Sequence, residues 1–280
     1  RAPLTWEVDR PVPPPETATF ATDPRIAEVD ATLAMADVLI PGFTAFHPMG
    51  ARLAQECVRI TGCEFRSMIF PVQFRVPTYD AWLLDEADLA PAYRWHRTFL
   101  QHLQARHPAP EWLLKSPAHL WHLDALAAEY PDAVIVQTHR DPLRIMSSVA
   151  SLLRTFYWQR SDRDFDAPVF EDLLVGERTA AQLEAVMALR DGGAVPEGQI
   201  VDFLYRDLIT DPVAAIERVY RAFDLPFGDA GAERVRRYLA HKPKDKHGRH
   251  DYTPMSPDQV AKNRPHFRRY QARYGVPDEI

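Results

Sequence analysis

Cysteine is scarce: Cys57 and Cys63 are the only two in 280 residues, too few for a disulfide framework and in keeping with a reducing compartment. His and Cys pairs at zinc-ligand spacing are missing too, which argues against a structural metal. No apolar run approaches the ~20 residues of a membrane span. The first residues lack the charged-then-apolar pattern of a signal peptide. These absences lead to the expectation of a cytoplasmic protein, although the sequence opens on Arg1 rather than Met. No GxxxxGK loop occurs, which weighs against an ATP-using kinase or a GTPase. A basic excess is also lacking. The formal net charge of −6 argues against a protein that coats nucleic acid.

What is present is an ordinary globular composition, 46% hydrophobic and 26% charged, long enough for one large core. A single domain over 1–280 is the expectation. Pro3, Pro11, Pro13, Pro14, Pro15 and Pro24 crowd the first 25 residues, so that stretch reads as an extended arm. Helical spacing of apolar residues follows from Asp23 to about Gly62, divided by Pro41 and Pro48, and again from Glu86 to His107.

The period then changes. Trp112-Leu113-Leu114-Lys115 is a short apolar run between Pro110 and Pro117, and an amphipathic stretch from Ala118 to Tyr130 follows, which reads as strand, turn, helix. The pattern recurs more clearly at Ala133 to Thr138. There a β-branched run gives way to Arg140-Asp141-Pro142 and a helix from Leu143 to Tyr157, with Asp141 as N-cap and Pro142 at the first helical position. A third strand at Gln199 to Leu204 leads through Tyr205-Arg206-Asp207 to a helix over 211–223. Helical spacing also runs from Phe170 to Leu189. Alternating strands and helices predict an α/β fold with a parallel sheet flanked by helices.

In such sheets ligands bind beyond the carboxyl ends of the strands. The residues there are Lys115-Ser116-Pro117-Ala118-His119, His139-Arg140-Asp141-Pro142 and Tyr205-Arg206-Asp207. A basic cluster from Arg234 to Arg249, with Lys246-His247-Gly248-Arg249 near its end, offers a further anion site or a solvated basic face. Two turns of helix can return the Ser148 hydroxyl to the Arg140 guanidinium, and a phosphate dianion favours that fork beside a helix N-terminus.

His139-Arg140-Asp141-Pro142 followed by Ser147-Ser148 resembles the 3′-phosphate-binding segment of sulfotransferases that use 3′-phosphoadenosine 5′-phosphosulfate (PAPS). In that family an arginine ends a strand and a serine follows eight positions later, the spacing of Arg140 and Ser148. Lys246-His247-Gly248-Arg249 resembles the family's basic loop on the same phosphate. Tyr205-Arg206-Asp207-Leu208 resembles its strand-end tyrosine segment near the adenine.

The resemblance implies a P-loop-NTPase-like fold and sulfuryl transfer from PAPS, as co-substrate, to a hydroxyl on a small molecule or glycan, with no metal. Arg140, Ser148, Tyr205, Lys246, His247, Gly248 and Arg249 are the implied nucleotide contacts. Pro117 replaces the histidine of the cytosolic members, so the candidate base is His119, with Lys115 neutralising charge on the leaving nucleotide. Apart from the resemblance, Glu56 in Gln55-Glu56-Cys57 is a secondary candidate, an acid on the acceptor side able to orient a hydroxyl. The aromatic stretch from Phe65 to Leu84 is a candidate acceptor wall as well as candidate core.

One family feature is missing. No glycine loop of the Ser-Gly-Thr-Thr kind, which would hold the 5′-phosphosulfate, stands after a strand, and the resemblance puts it, with the first strand, upstream of Arg1. Without that central strand the neighbouring edges would be unpaired, so the 280-residue chain is expected to be poorly stable or to aggregate. The alternative to an enzyme is a non-catalytic nucleotide-binding or interaction fragment of one.

Overall fold

A computed structural model describes residues 1–39, 43, 47–162, 176–241 and 254–280. Two compact units organise the chain, Arg1–Glu129 with Thr155–Asp164, and Tyr130–Arg154 with Phe165–Ile280.

The first unit is helical among its described residues. Its helices are α1 (Thr5–Asp9), α2 (Arg25–Leu39), α3 (Val58–Thr61), α4 (Ile69–Gln73), α5 (Pro77–Asp85), α6 (Ala90–Gln104) and α7 (Leu123–Glu129). A 3₁₀ turn over Pro117–His122 leads into α7. The expected arm over the first 25 residues differs at α1. Glu7 accepts the Leu4 amide at 2.9 Å and closes the first turn, while the Thr5 and Trp6 amides donate to the Leu53 and Ala51 carbonyls at 2.9 and 3.0 Å. That fixes Trp6, fully buried, against Ile26, Val29 and Ala51, and burial of so large an apolar side chain is worth on the order of 1.5–3 kcal/mol. A second apolar cluster joins Ile60 to Phe99, Leu100 and Leu103 of α6.

The expected strand at 112–115 is not one. Its hydrogen bonds go singly, from the Leu113 amide to the Arg1 carbonyl at 2.8 Å and from the Cys57 amide to the Lys115 carbonyl at 3.0 Å. No ladder forms there.

The second unit contains the sheet. Strands β1 (Ile135–His139) and β2 (Ile200–Leu204) pair in parallel, with Ile135 opposite Ile200 and His139 opposite Leu204. After β1 comes α8 (Pro142–Trp158), whose last turn lies in the first unit; α9 is Gly176–Asp191. After β2 come α10 (Tyr205–Thr210), α11 (Pro212–Ala222), α12 (Gly228–His241) and α13 (Pro257–Tyr274). Helix α13 packs on α9. Asp141 caps α8 as its sequence implied, accepting the Leu143 amide at 3.1 Å, and Asp211 caps α11 in the same way through Ala214 at 3.0 Å. The architecture is the expected α/β one, a parallel pair with helices packed around it. Among the described residues each strand has one partner, and Val134 and Val136 are exposed.

Candidate functional site

In the second unit the register decides what meets at the strand ends. Because His139 stands opposite Leu204, the next residues, Arg140 and Tyr205, leave the sheet side by side. The Arg140 guanidinium lies over the Tyr205 ring, 4.1 Å from its centroid, a separation at which the ring face attracts a cation. The same guanidinium forks onto the Glu279 carboxylate. Nε donates at 3.0 and 3.1 Å and Nη2 at 2.8 Å. Ser148 is half-buried in the second turn of α8, and its neighbour Ser147 is buried, donating to the Leu143 carbonyl at 3.1 Å.

Behind Arg140 lies a polar network that the sequence reading did not identify. His139 Nδ1 is 2.7 Å from the Tyr270 hydroxyl and Nε2 is 2.8 Å from Asp202, while the ring stacks on Tyr274 at 4.1 Å. Arg190 donates to both Asp202 oxygens at 2.7 and 3.1 Å and to Gln137 at 2.7 Å. Burial pushes the Asp202 pKa up, but hydrogen bonds from His139 and Arg190 outweigh it and hold the carboxyl far below the usual range. The signal was available in the strands: Gln137 and His139 alternate on one face of β1, and polar side chains at a period of two need buried partners.

Asp141 is the other joint. It is fully buried and receives Arg264 as a fork at 2.5 and 2.9 Å, besides the Leu143 amide and the Glu279 amide at 2.8 Å.

The first unit holds the candidates for chemistry. Lys115 donates from Nζ to Glu56 in a short ion pair, its side chain largely exposed and that of Glu56 half-buried. The bond between the Cys57 amide and the Lys115 carbonyl sets the two segments beside each other. Burial pushes the Cys57 thiol up to about 12, which leaves it unreactive.

His119 lies elsewhere in that unit. Ser116 caps the 3₁₀ turn by accepting the Ala118 amide at 3.1 Å, which directs His119 towards α6. Its Nδ1 is 3.0 Å from the Tyr93 hydroxyl, its ring is 6.2 Å from that of His96, and its Nε2 is buried with no hydrogen-bond partner. Burial, with a smaller contribution from His122, lowers its pKa to about 4; burial, helped by His119, lowers that of His96 to about 3. The structure therefore brings Lys115 to Glu56, and His119 to Tyr93 and His96. Lys246, His247, Gly248 and Arg249 lie outside the described residues. Among the described residues no three His, Cys, Asp or Glu side chains group as a metal site, and no helix is long and apolar enough to cross a membrane.

The buried histidines predict an acid weakness. Below about 6.5 the unfolded chain protonates both imidazoles, whereas the folded chain does not until about 4 for His119 and about 3 for His96. Their contribution to stability is thus complete above 6.5 and is lost as pH falls towards 4. Between those values the unfolding free energy of His96→Leu falls less steeply than that of the wild type, by up to about 1.4 kcal/mol per pH unit. Parallel curves from denaturant titrations would show that His96 titrates alike in both states.

The chain as a whole is similar to known proteins. The sequence profile of the sulfotransferase family matches residues 4–229. The chain belongs to the sulfotransferase family. Among curated sulfotransferases, the omega-hydroxy-beta-dihydromenaquinone-9 sulfotransferase Stf3 of Mycobacterium bovis and that of Mycobacterium tuberculosis are each 26% identical over 190 residues, 66% of this chain and 47% of theirs. The chain spans about half the length of these relatives. Two solved sulfotransferases share the fold. STF9 from Mycobacterium avium aligns over 100% of this chain and 71% of its own, with a TM-score of 0.81 and 25% identity. STF1 from Mycobacterium tuberculosis H37Rv aligns over 94% and 68%, with a TM-score of 0.74 and 29% identity.

Proposed function

We propose that the protein transfers a sulfuryl group from PAPS to a hydroxyl on a small, largely apolar acceptor. The observation that carries this reading is the Arg140 fork. The guanidinium stacked on Tyr205 already chelates an oxyanion, the Glu279 carboxylate, and the 3′-phosphate of the nucleotide is an anion of the same bidentate kind. Tyr205 supplies a ring at the same strand end for the adenine. Ser148 adds a hydroxyl donor. Lys246 to Arg249 remain proposed phosphate contacts on sequence alone.

Sulfuryl transfer by in-line displacement forms a bond from the acceptor oxygen to sulfur and breaks the bond from sulfur to the 5′-phosphate oxygen. The acceptor proton must go to a base, and charge grows on the departing oxygen. Lys115 is assigned to that charge. The assignment of the base moves from His119 to Glu56, because Glu56 stands at Lys115 Nζ in a half-exposed position. His119 is instead held by Tyr93 and enclosed at Nε2.

For the acceptor, Phe65, Phe70, Tyr79 and Trp82 form a run of neighbouring rings with centroid separations of 4.7 to 5.6 Å. Phe65 is exposed and held at φ 56°, a conformation that costs free energy for an aromatic residue and persists where the surroundings fix it. Tyr79 does so, donating to the Phe65 carbonyl at 2.9 Å. The Stf3 relatives are named for a hydroxylated dihydromenaquinone, an acceptor of this character.

Calorimetry with adenosine 3′,5′-bisphosphate tests the nucleotide site. Arg140→Ala weakens binding by at least about tenfold, the loss of charge-assisted hydrogen bonds. Equal affinity in the variant and the wild type would remove Arg140 from the site.

A further inference from the structure

We infer that Glu279 is an internal competitor for the nucleotide phosphate at Arg140, a carboxylate that must leave before the phosphate binds and that returns as the product departs. The inference rests on the proposed PAPS reading, since it assigns the Arg140 fork to a nucleotide phosphate.

The contact is a built one. Helix α13 ends at Gly275 in the left-handed region, φ 65°, which turns the chain back along the helix. Val276 is then buried and its amide donates to the Gln271 carbonyl at 3.0 Å. Asp278 accepts from Gln271 at 2.8 Å and from Arg268 at 3.1 Å. The Glu279 amide donates to buried Asp141, and Arg264 reaches the Ile280 carbonyl at 2.6 Å. Backbone and flanking side chains are thereby held while the Glu279 carboxylate extends onto Arg140.

That carboxylate takes the Nε and Nη2 edge of the guanidinium, the edge a phosphate would grip as a fork. Two anions on one edge repel, so the occupants are alternatives. Displacement is feasible because the two side chains are 29% and 27% exposed and only the carboxylate has to rotate. Holding Arg140 in a counter-ion between turnovers keeps it flat on Tyr205 and lowers affinity for the bisphosphate product. Release of that product is then an exchange rather than the baring of a charge.

The test is calorimetry of adenosine 3′,5′-bisphosphate with wild type, Glu279→Gln and Glu279→Ala, and adenosine 5′-phosphate as the ligand lacking the 3′-phosphate. Both variants bind the bisphosphate more tightly, by about fivefold for the loss of an accessible ion pair, and their affinity for the monophosphate is unchanged. Phenylglyoxal labelling of Arg140, read by peptide mass mapping without nucleotide, is faster in Glu279→Gln. Unchanged or weaker bisphosphate binding in both variants, with wild-type binding intact, overturns the competition and leaves the PAPS reading standing. Absence of bisphosphate binding in every variant overturns the PAPS reading and the competition with it, even if the labelling rate changes. Melting curves for Glu279→Gln matching those of the wild type establish that the comparison is between folded proteins.

Discussion

Glu56→Gln lowers the rate constant of sulfuryl transfer by at least about 10²-fold, the range that general-base catalysis supplies, whereas His119→Asn lowers it by only a few-fold. The measurement is single-turnover transfer from PAPS to a hydroxylated apolar acceptor, made on the protein with whatever its gene encodes before Arg1. A base has to reach the acceptor hydroxyl and lie near the group that manages the leaving charge, and Glu56 is in contact with Lys115. His119 is engaged at Nδ1 by Tyr93 and enclosed at Nε2, so neither ring nitrogen faces an acceptor hydroxyl. The reverse result, a large loss for His119→Asn and a small one for Glu56→Gln, would return the base to His119. Lys115→Met adds a diagnostic. If Lys115 acts on the leaving nucleotide, the variant loses turnover while bisphosphate affinity falls less.

The second large effect concerns stability. Arg264→Ala costs about 3–5 kcal/mol in urea unfolding, the range for removing one partner of a buried ion pair. Asp141 is fully buried, its partner is nearly so, and the pair is bidentate, so the variant strands a carboxylate that cannot reach water. The residual amide donors from Leu143 and Glu279 satisfy part of that carboxylate but supply no countercharge. A loss below about 1 kcal/mol would mean that the site relaxes enough to hydrate Asp141. The segment 276–280 provides a second readout: with its anchor on Asp141 loosened, Arg140 becomes more reactive toward phenylglyoxal in the folded protein.

The parts of this arrangement that were legible in the sequence are the ones encoded locally. A β-branched run, an Asp-Pro step and an amphipathic stretch specify β1, its turn and α8 within about two dozen residues, and the structure bounds them within a residue or two of the expectation. Gln199 to Leu204 was recognisable for the same reason. The segment at 112–115 shows the limit. Four apolar or long side chains between prolines describe an extended backbone, but whether it pairs is decided by what lies beside it, and here the neighbours are single amides and carbonyls of Arg1 and Cys57. Within 1–25 the departure is confined to α1: the prolines are genuine helix breakers, yet the five residues Thr5–Asp9 contain none and Glu7 closes a turn there.

Site partners were less legible because they are distant in the chain. Glu56 reads in the sequence as a secondary candidate acid on the acceptor side, and its pairing with Lys115 crosses 59 positions. Glu279 meets Arg140 across 139 positions, and no local pattern distinguishes it from any other acidic residue near a chain end. Asp202 and Arg190 fall between these cases, since a polar residue inside a strand announces a partner without naming it.

The pairing of β1 with β2 carries a consequence for how the proposed nucleotide site comes into being. Arg140 and Tyr205 are neighbours because of the register of two strands between which α8 and α9 must be threaded. Contacts that close long loops form late, after local helices, because the entropy of closure precedes any reward from the contact. A chain caught before that closure would show a helical circular-dichroism spectrum and have no place for a nucleotide. Acquisition of bisphosphate affinity during refolding would therefore await the sheet, lagging the helical signal by at least the time the two strands take to find each other.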